Sequence, residues 1–366
     1  MKVLMVYGTR PEAIKLAPVI QALNQRPDVE TVVCVTAQHR GMLDQVNRLF
    51  DIHIDHDLDL MLPDQSLADV SARVLTHVTP VIEMEAPDWV VVQGDTSTAA
   101  LTALAAYYLQ VPIAHVEAGL RTGDKRQPFP EEINRRLTGI LADLHFAPTE
   151  QARQNLLAEG VLPEQIELTG NTIVDSLHAM AKLPLEHPPE FYTQLPEDRD
   201  LVLLTAHRRE NFGRPLENIF SAVRQLAEKY YDRAHFVYPV HPNPNVAQPA
   251  RRMLAGISNL TLTDPLDYHT FVHLLQRCKF VLTDSGGIQE EAPSFGKPVL
   301  VLRELTERPE GVEAGVARLV GAASAERIVE QASLLLDDPE AYRQMATGKN
   351  PYGDGRAAER IAAKLT

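Results

Sequence analysis

The sequence predicts an α/β protein of two domains, each built around a parallel β-sheet with helices on both faces, on the basis of three observations. Short β-branched runs, such as residues 89–93, are apolar throughout, which is typical of strands buried on both faces. The stretches between these runs carry apolar residues at helical spacing. A chain of 366 residues with 45% hydrophobic content is too long for one ordinary core, so two domains are expected.

The predicted elements follow this alternation along the chain. Helices are expected at residues 12–24 and 97–109, because each begins beside a Pro, Ser or Thr suited to a helix start. The pattern lapses into a proline-rich connector between residues 171 and 199, so we expect domains at residues 1–172 and 173–354, with the last helix, 355–366, joining the first domain. Strands are predicted at residues 3–7, 31–36, 89–93, 113–116, 201–205, 236–240, 280–283 and 298–302.

Composition narrows the function classes. The net charge of −14 and the pI near 5.4 argue against a surface that binds nucleic acid or anionic lipid. Cys34 and Cys278, each in an apolar strand-like run, suggest neither a disulfide framework nor a zinc motif. No apolar run has the length of a signal-peptide core or a membrane span, so we expect a soluble cytoplasmic protein without a membrane partner.

The first strand leads into a turn that suits an anion. Residues 8–15 leave a buried strand and enter a helix whose first residue is expected to be Pro11, so Arg10 and Lys15 would lie near free backbone N–H groups. Alternatively, Arg10 is an ordinary surface residue. The turn matches neither a P-loop nor the dinucleotide fingerprint, so neither ATP nor a nicotinamide cofactor is indicated.

A second anion site is expected where residues 281–291 end a strand and begin a helix. Gly286 and Gly287, after Ser285, would let backbone amides approach a phosphate closely. Glu291 is then placed to accept hydrogen bonds from a ribose diol. The alternative is that Glu290 and Glu291 only complement the helix dipole.

Arg308 follows the next predicted strand and would lie at the same sheet edge. It could complete a clamp on a diphosphate. Alternatively, it forms an exposed ion pair with Glu307 or Glu310.

Three carboxylates, Asp95, Glu117 and Glu131, come from two strand ends and a helix start in the first domain. Carboxylates crowded together raise at least one pKa, as general acid–base catalysis near neutral pH requires. His207 ends the first strand of the second domain and would face them across a shared cleft. Alternatively, Asp95 is an N-cap, Glu131 serves a first helical turn and His207 is structural. No metal-binding pattern accompanies these residues, so no metal is expected.

Long motifs in this order resemble one known family, the non-hydrolysing UDP-N-acetylglucosamine 2-epimerases. The resemblance spans the chain. It is carried by GTRPEAIK (8–15), VTAQHRGMLDQV (35–46), GDT (94–96), HVEAGLRTGD (115–124), PFPEEINRR (128–136), TGNTIVD (169–175), AHRRENFG (206–213), YPVHPNPNV (238–246), TDSGGIQEEAPSFGKPVLVLRELTERPE (283–310) and NPYGDG (350–355).

This resemblance implies a GT-B architecture, two Rossmann-like doubly wound domains with the active site in the cleft between them. It implies reversible conversion of UDP-GlcNAc to UDP-ManNAc without metal, nicotinamide or other cofactor, and a homodimer. Glu131 joins the carboxylates needed for turnover. The family's nucleotide-sugar contacts fall on Arg10, Lys15, Asp95, Glu117, His207, Phe271, Ser285, Gly286, Gly287, Glu291 and Arg308.

Two regions bear on how far the resemblance extends. Leu266 stands where some members carry Gln. If main-chain groups read uracil there, nothing is lost, whereas a side-chain contact would be absent. An allosteric site for UDP-GlcNAc in the family would map to Gln38, His39, Arg208 and His241, whereas Gly41 and Asp64 depart from the side chains of some members.

The sequence leaves other functions open. A hydrolysing epimerase that releases ManNAc and UDP would need the same cleft with looser closure. A GT-B glycosyltransferase would need an acceptor pocket, and the three carboxylates argue against it. A catalytically silent nucleotide-sugar sensor would have no use for Asp95, Glu117, Glu131 and His207 together.

Overall fold

The computed structural model describes residues 1–37, 40–62 and 65–366, with the main chain only for residues 40 and 42. Two compact units are present, one formed by Met1–Ser176 with Tyr352–Thr366 and the other by Leu177–Pro351. Each is a parallel β-sheet flanked by helices, which confirms the predicted fold class of two Rossmann-like α/β domains. The observed boundary lies between Ser176 and Leu177, whereas the sequence placed it at residues 172–173.

The N-terminal unit contains a seven-stranded sheet in the order β3-β2-β1-β4-β5-β6-β7. Its strands are β1 (Lys2–Tyr7), β2 (Glu30–Val35), β3 (His56–Asp57), β4 (Trp89–Gln93), β5 (Ile113–Val116), β6 (Leu144–Ala147) and β7 (Ile166–Leu168). Its helices are α1 (Arg10–Asn24), α2 (Arg40–Leu49), α3 (Leu67–Glu85), α4 (Ser97–Tyr108), α5 (Glu131–Leu141) and α6 (Glu150–Ala158). Helix α7 (Thr172–Lys182) contains the unit boundary.

The C-terminal unit contains a six-stranded sheet in the order β10-β9-β8-β11-β12-β13. Its strands are β8 (Asp200–Thr205), β9 (Ala234–Pro239), β10 (Leu260–Thr263), β11 (Phe280–Thr283), β12 (Val299–Val301) and β13 (Ala317–Leu319). Its helices are α8 (Glu190–Thr193), α9 (Arg214–Lys229), α10 (Pro244–Leu254), α11 (Tyr268–Arg277), α12 (Gly286–Glu291), α13 (Pro309–Glu313), α14 (Ala325–Asp337) and α15 (Pro339–Ala346). The last helix, α16 (Ala357–Leu365), belongs to the N-terminal unit.

The cores explain why the strands are apolar throughout. Val90 and Val92 on β4 pack in one cluster of the N-terminal unit with residues of α3 and α4. In the C-terminal unit, Val202 and Leu204 on β8 pack with the apolar face of α9. Continuous burial of both strand faces removes the polar alternation that an exposed sheet face would show.

Helix α16 is fixed by a buried acid. Asp175 accepts hydrogen bonds from the backbone N–H groups of Ala357 (3.2 Å) and Ala358 (2.9 Å). These amides are among those that a helix start leaves without an intrahelical partner. Within the residues that the structure describes, no helix combines the length and apolarity needed to cross a membrane.

Two local expectations were wrong. Helix α1 begins at Arg10, so Pro11 is its second residue; a proline is tolerated throughout a first turn because the N–H groups there have no helical partner. Cys278 is not in a strand but follows α11, where it is fully buried.

Candidate active site

In the N-terminal unit, the predicted site residues follow three neighbouring strands at their carboxyl ends. The sheet order reverses between β1 and β4, and β4 pairs with β5. Gln93 on β4 and Val116 on β5 are partners in register, so Asp95 and Glu117 leave the sheet side by side. Ligands of open α/β sheets bind at such switch points.

Glu117 has an unusual main-chain conformation. Its φ of 64° lies in the left-handed region, which residues other than glycine rarely adopt. The side chain is nearly buried, forms an ion pair with Lys15 and accepts a hydrogen bond from Asn171 Nδ2 at 3.0 Å. Backbone strain of this kind often occurs at functional sites, where the surrounding structure holds a side chain in a required position.

Asp95 is paired with Arg135, which extends from α5. Its alternative role as an N-cap is excluded, because Thr96 caps α4 by accepting from the backbone N–H of Ala99 at 3.0 Å. Arg135 also lies 3.4 Å from the buried carboxylate of Glu132. The sequence motif contained Arg135, but nothing in its spacing indicated that the side chain would reach Asp95.

Glu131 is the first residue of α5, so its charge also suits the helix start. One carboxylate oxygen, Oε2, is buried and has no hydrogen-bond partner among the described residues. A buried polar atom without a partner is uncommon in folded proteins, and sites that hold a ligand are one explanation for it.

Arg10 is exposed at the start of α1, on the turn that follows β1. The turn itself requires a glycine, because a Cβ at Gly8 would lie 2.3 Å from Thr36 Oγ1 and 2.6 Å from Thr98 Oγ1. The structure therefore leaves the guanidinium of Arg10 accessible to an anion.

In the C-terminal unit, the buried side chain of Asp284 organises the turn after β8. It accepts hydrogen bonds from the backbone N–H groups of His207 (3.0 Å) and Arg208 (2.9 Å), and from Asn211 Nδ2 (3.0 Å). The sequence pattern did not indicate this role of Asp284. The available signal was an Asp directly after an apolar strand, at the edge where functional residues gather.

His207 lies beside this carboxylate, with Nδ1 3.6 Å from Asp284 Oδ1. Its ring stacks on that of His241, with centroids 5.4 Å apart and planes 13° from parallel. Burial lowers the pKa of His207 below its ordinary value; Asp284 opposes this shift, whereas His241 and Arg208 reinforce it. The free protein therefore holds a neutral imidazole at this position near neutral pH.

Ser285 is the N-cap of α12, and the two glycines follow it. Gly287 is exposed, and a Cβ at Gly286 would lie 2.9 Å from Glu307 Oε1. Glu290 and Glu291 are the last two residues of α12, so the alternative that they complement its N-terminal dipole was wrong.

Arg308 forms an ion pair with the buried carboxylate of Glu290, a partner that the sequence did not indicate. Its Nη1 donates to the main-chain oxygen of Glu307 at 3.2 Å. The side chain of Glu307 instead pairs with Arg303 and lies 3.4 Å from Arg208. Arg308 is thus held at the same sheet edge as Ser285.

The remaining candidates lie around these turns or outside the described residues. Leu266 is half-buried before α11, and Phe271 is half-buried in the first turn of that helix. Arg208 follows His207 in the chain, and the ring of His241 stacks on that of His207. Gln38 and His39, the other two allosteric candidates, lie outside the described residues, as does Asp64. Over residues 1–37, 40–62 and 65–366, no group of three or more His, Cys, Asp or Glu side chains is arranged to hold a metal ion.

The fold and these strand-end residues define a class, the two-domain α/β proteins of Rossmann-like units with functional side chains at the switch points. A sequence model of the UDP-N-acetylglucosamine 2-epimerase family matches residues 21–366. The chain belongs to this family.

Individual relatives and a solved structure also support membership of this family. The chain is 53% identical over 370 aligned residues to a probable UDP-N-acetylglucosamine 2-epimerase of Ralstonia nicotianae, covering 100% of this chain and 98% of the relative. It is 51% identical to the UDP-N-acetylglucosamine 2-epimerase of Escherichia coli strain K12, again with 100% and 98% covered. The crystal structure of UDP-GlcNAc 2-epimerase from Neisseria meningitidis bound to UDP-GlcNAc superimposes with a TM-score of 0.91 at 46% identity, covering 100% of this chain and 99% of that one.

Proposed function

We propose that the protein catalyses the reversible epimerisation of UDP-GlcNAc at C2 to UDP-ManNAc, without releasing the free sugar. Family membership supports the epimerase activity. One observation supports the proposed course of the reaction: two carboxylates follow adjacent parallel strands, and each has its own cationic partner. Asp95 pairs with Arg135, and Glu117 pairs with Lys15. Inversion at C2 requires one group to remove a proton from one face and another to deliver a proton to the opposite face.

The proposed first half-reaction is an anti elimination. A carboxylate accepts the C2 proton while the C1–O bond to UDP breaks, its electron pair leaves on the β-phosphate oxygen, and a C1–C2 double bond forms. The product pair is 2-acetamidoglucal and UDP. Departure of UDP gives C1 oxocarbenium character, which makes the C2 hydrogen more acidic, so a carboxylate is a sufficient base.

The second half-reaction reverses these steps with the other stereochemistry. A second acid protonates C2 from the opposite face, and the UDP oxygen adds back to C1. We assign the two acid–base roles to Asp95 and Glu117, with Glu131 supporting or sharing them. The buried, unpaired oxygen of Glu131 supports its inclusion.

The leaving UDP carries the largest change in charge. We assign its stabilisation to Arg10, to Arg308 and to the backbone amides of residues 285–287, because such groups act most strongly where charge develops. Neutral His207 would contribute as a hydrogen-bond donor. Glu291 would accept a hydrogen bond from the ribose, Phe271 would contact the nucleotide, and main-chain groups near Leu266 would bind uracil.

A second, activating UDP-GlcNAc is a separate part of the proposal. The candidates for binding it are Arg208, His241, Gln38 and His39.

UDP-ManNAc made in the cytoplasm would supply a precursor for cell-surface polysaccharide, and the enzyme would act as a homodimer.

The test is proton NMR of purified protein with UDP-GlcNAc in D₂O, with EDTA and without added nicotinamide. We expect UDP-ManNAc carrying deuterium at C2, at a rate that EDTA leaves unchanged. The variant Glu117→Gln provides the background control. Free ManNAc with UDP would instead identify a hydrolysing epimerase, and transfer of the sugar to an added acceptor would identify a glycosyltransferase.

A further inference from the structure

Glu12 is a buried acid in the N-terminal unit to which the mechanism above gives no role. It lies in the first turn of α1 and is 1% exposed. Acidic side chains are almost never this buried unless they are paired or fully hydrogen-bonded. The carboxylate of Glu12 therefore needs an explanation beyond helix formation.

Its two oxygens face different elements. Oε2 accepts from the backbone N–H groups of Gly8 (3.1 Å) and Thr9 (2.8 Å) and from Thr9 Oγ1 (2.7 Å), which caps α1. Oε1 accepts from Thr96 Oγ1 at 2.6 Å, although Thr96 is 84 residues away and belongs to the start of α4. One carboxylate thus joins the N-termini of two helices.

Two successive turns of α1 reach both proposed acid–base groups. Thr96 directly follows Asp95, so the bond from Thr96 to Glu12 fixes the turn that carries Asp95. Lys15, one turn along α1 from Glu12, forms the ion pair with Glu117. Neighbouring turns of α1 are therefore linked to the Asp95 turn, through Glu12, and to Glu117, through Lys15.

We propose that Glu12 is a positioning residue for the epimerase reaction, which holds the Asp95 turn in register with the Lys15–Glu117 pair through its hydrogen bond to Thr96. The inference rests on the proposed function, because it assigns acid–base roles to Asp95 and Glu117. A displacement of well under 1 Å in such groups is enough to slow a reaction that needs aligned proton transfer.

The chain offers an internal comparison for the test. Helix α3 begins with the same kind of reciprocal cap, in which Asp69 accepts from Ser66 N (3.1 Å) and Ser66 Oγ (2.6 Å). An Asp at this position can therefore cap a helix start. Glu12→Asp is expected to keep the cap of α1 while its side chain, one methylene shorter, no longer reaches Thr96.

We expect Glu12→Asp to lower kcat for epimerisation by at least about 10-fold, while KM for UDP-GlcNAc and Kd for UDP change less than about 3-fold. The matched variant Asp69→Glu, which alters the exposed cap of α3, should keep the wild-type kcat. Thr96→Ser retains the hydroxyl and should retain most of kcat. Thr96→Val removes the hydroxyl and should lower kcat. The double variant Glu12→Asp/Thr96→Val should have a kcat no lower than that of Thr96→Val alone.

Hydrogen exchange and thermal unfolding distinguish a loss of positioning from a loss of overall stability. Amide hydrogen exchange at residues 95–99 should quicken in Glu12→Asp while the thermal midpoint stays near that of Asp69→Glu. An active wild type with an unchanged kcat in Glu12→Asp would overturn the positioning role, as would strictly additive losses in the double variant. A wild type that does not epimerise would overturn the proposed function instead.

Discussion

Glu117 has a strained main chain, although its side chain is firmly held. This combination is typical of a functional residue. Its left-handed φ of 64° is unfavourable for a residue with a Cβ, yet Lys15 and Asn171 hold its carboxylate in place. A glycine would relieve the main-chain strain, so this conformation of a glutamate fits the acid–base role proposed for Glu117.

Glu117→Gln should separate catalysis from binding. The amide keeps the size of the side chain but cannot accept the C2 proton, so kcat should fall by at least about 10²-fold. UDP affinity should change little, because UDP stabilisation is assigned to other groups, Arg10 in the N-terminal unit and Arg308 with residues 285–287 in the C-terminal unit. Steady-state kinetics and calorimetry with UDP measure both quantities. Glu159→Gln, which removes the charge that pairs with Arg121, is the control. A kcat for Glu117→Gln close to that of wild type would exclude Glu117 as base or acid.

His207 should couple UDP binding to pH. Burial lowers the pKa of His207 in the free protein, and a bound diphosphate would raise it. Binding therefore takes up a proton between the two pKa values, and UDP affinity should increase as pH falls through that window. Calorimetry in buffers of different ionisation enthalpy measures the proton uptake. His207→Gln should abolish it.

The matched control for this measurement is His235→Asn. Burial also lowers the pKa of His235, which contacts Thr261 rather than the site turn. This variant should keep the proton uptake of the wild type. Equal uptake by wild type and His207→Gln would show that another group is the linked one.

At the scale of elements, the sequence predicted the strands that are buried on both faces. Three strands have the predicted bounds: Trp89–Gln93, Ile113–Val116 and Phe280–Thr283. In each, the ends of the strand lie at or next to the ends of an apolar run between turn residues. The strands β3, β6, β7, β10 and β13 were not predicted. Strands β3, β7 and β13 have only two or three residues, and β10 alternates Leu with Thr, so none of them forms an apolar run. Strand β6 was missed although its composition is similar to that of β5.

The site shows a similar division. Charged residues directly after strands, such as Asp95 and Glu117, could be found from the sequence because parallel strands bring their carboxyl ends together. The partners Arg135, Asn171 and Glu290 could not, because each comes from a helix or loop whose approach depends on tertiary packing. The functional roles assigned to these residues remain predictions.

Strands β5 and β6 carry a buried pair of histidines that should make the fold sensitive to acid. His115 and His145 are direct partners across the two strands. Burial lowers the pKa of His115 to about 3 and that of His145 to about 4, from an ordinary value of 6.5. As pH decreases, the two histidines bind protons in the unfolded chain before they do so in the folded protein. The free energy of unfolding is therefore unaffected by them above pH 6.5, and it falls as pH decreases toward their pKa values in the folded protein.

Urea unfolding as a function of pH tests this expectation. Each histidine should contribute up to about 1.4 kcal/mol per pH unit within its window. His145→Asn should reduce the slope of stability against pH. His187→Asn, at an exposed position in the C-terminal unit, should leave it unchanged. An unaltered slope in His145→Asn would mean that His145 does not titrate on unfolding.

For the whole molecule, exposed apolar side chains on the N-terminal unit suggest where two copies would meet. Ile133 and Ile140 lie two turns apart on α5, 46% and 81% exposed, and Tyr107 and Tyr108 end the neighbouring α4 at 58% and 63%. Several large apolar groups on adjacent helices are typical of an interface surface. A two-fold dimer would place this surface against its own copy.

We therefore predict a dimer that depends on this face. Light scattering after size exclusion should give about twice the chain mass of 40.6 kDa for the wild type. Ile140→Glu should shift the mass toward one chain, because a two-fold axis brings the two new charges close together in a desolvated interface. Tyr231→Glu, at a 52% exposed aromatic in the C-terminal unit, should remain dimeric. A dimeric Ile140→Glu would locate the interface elsewhere, and a monomeric wild type would exclude the homodimer.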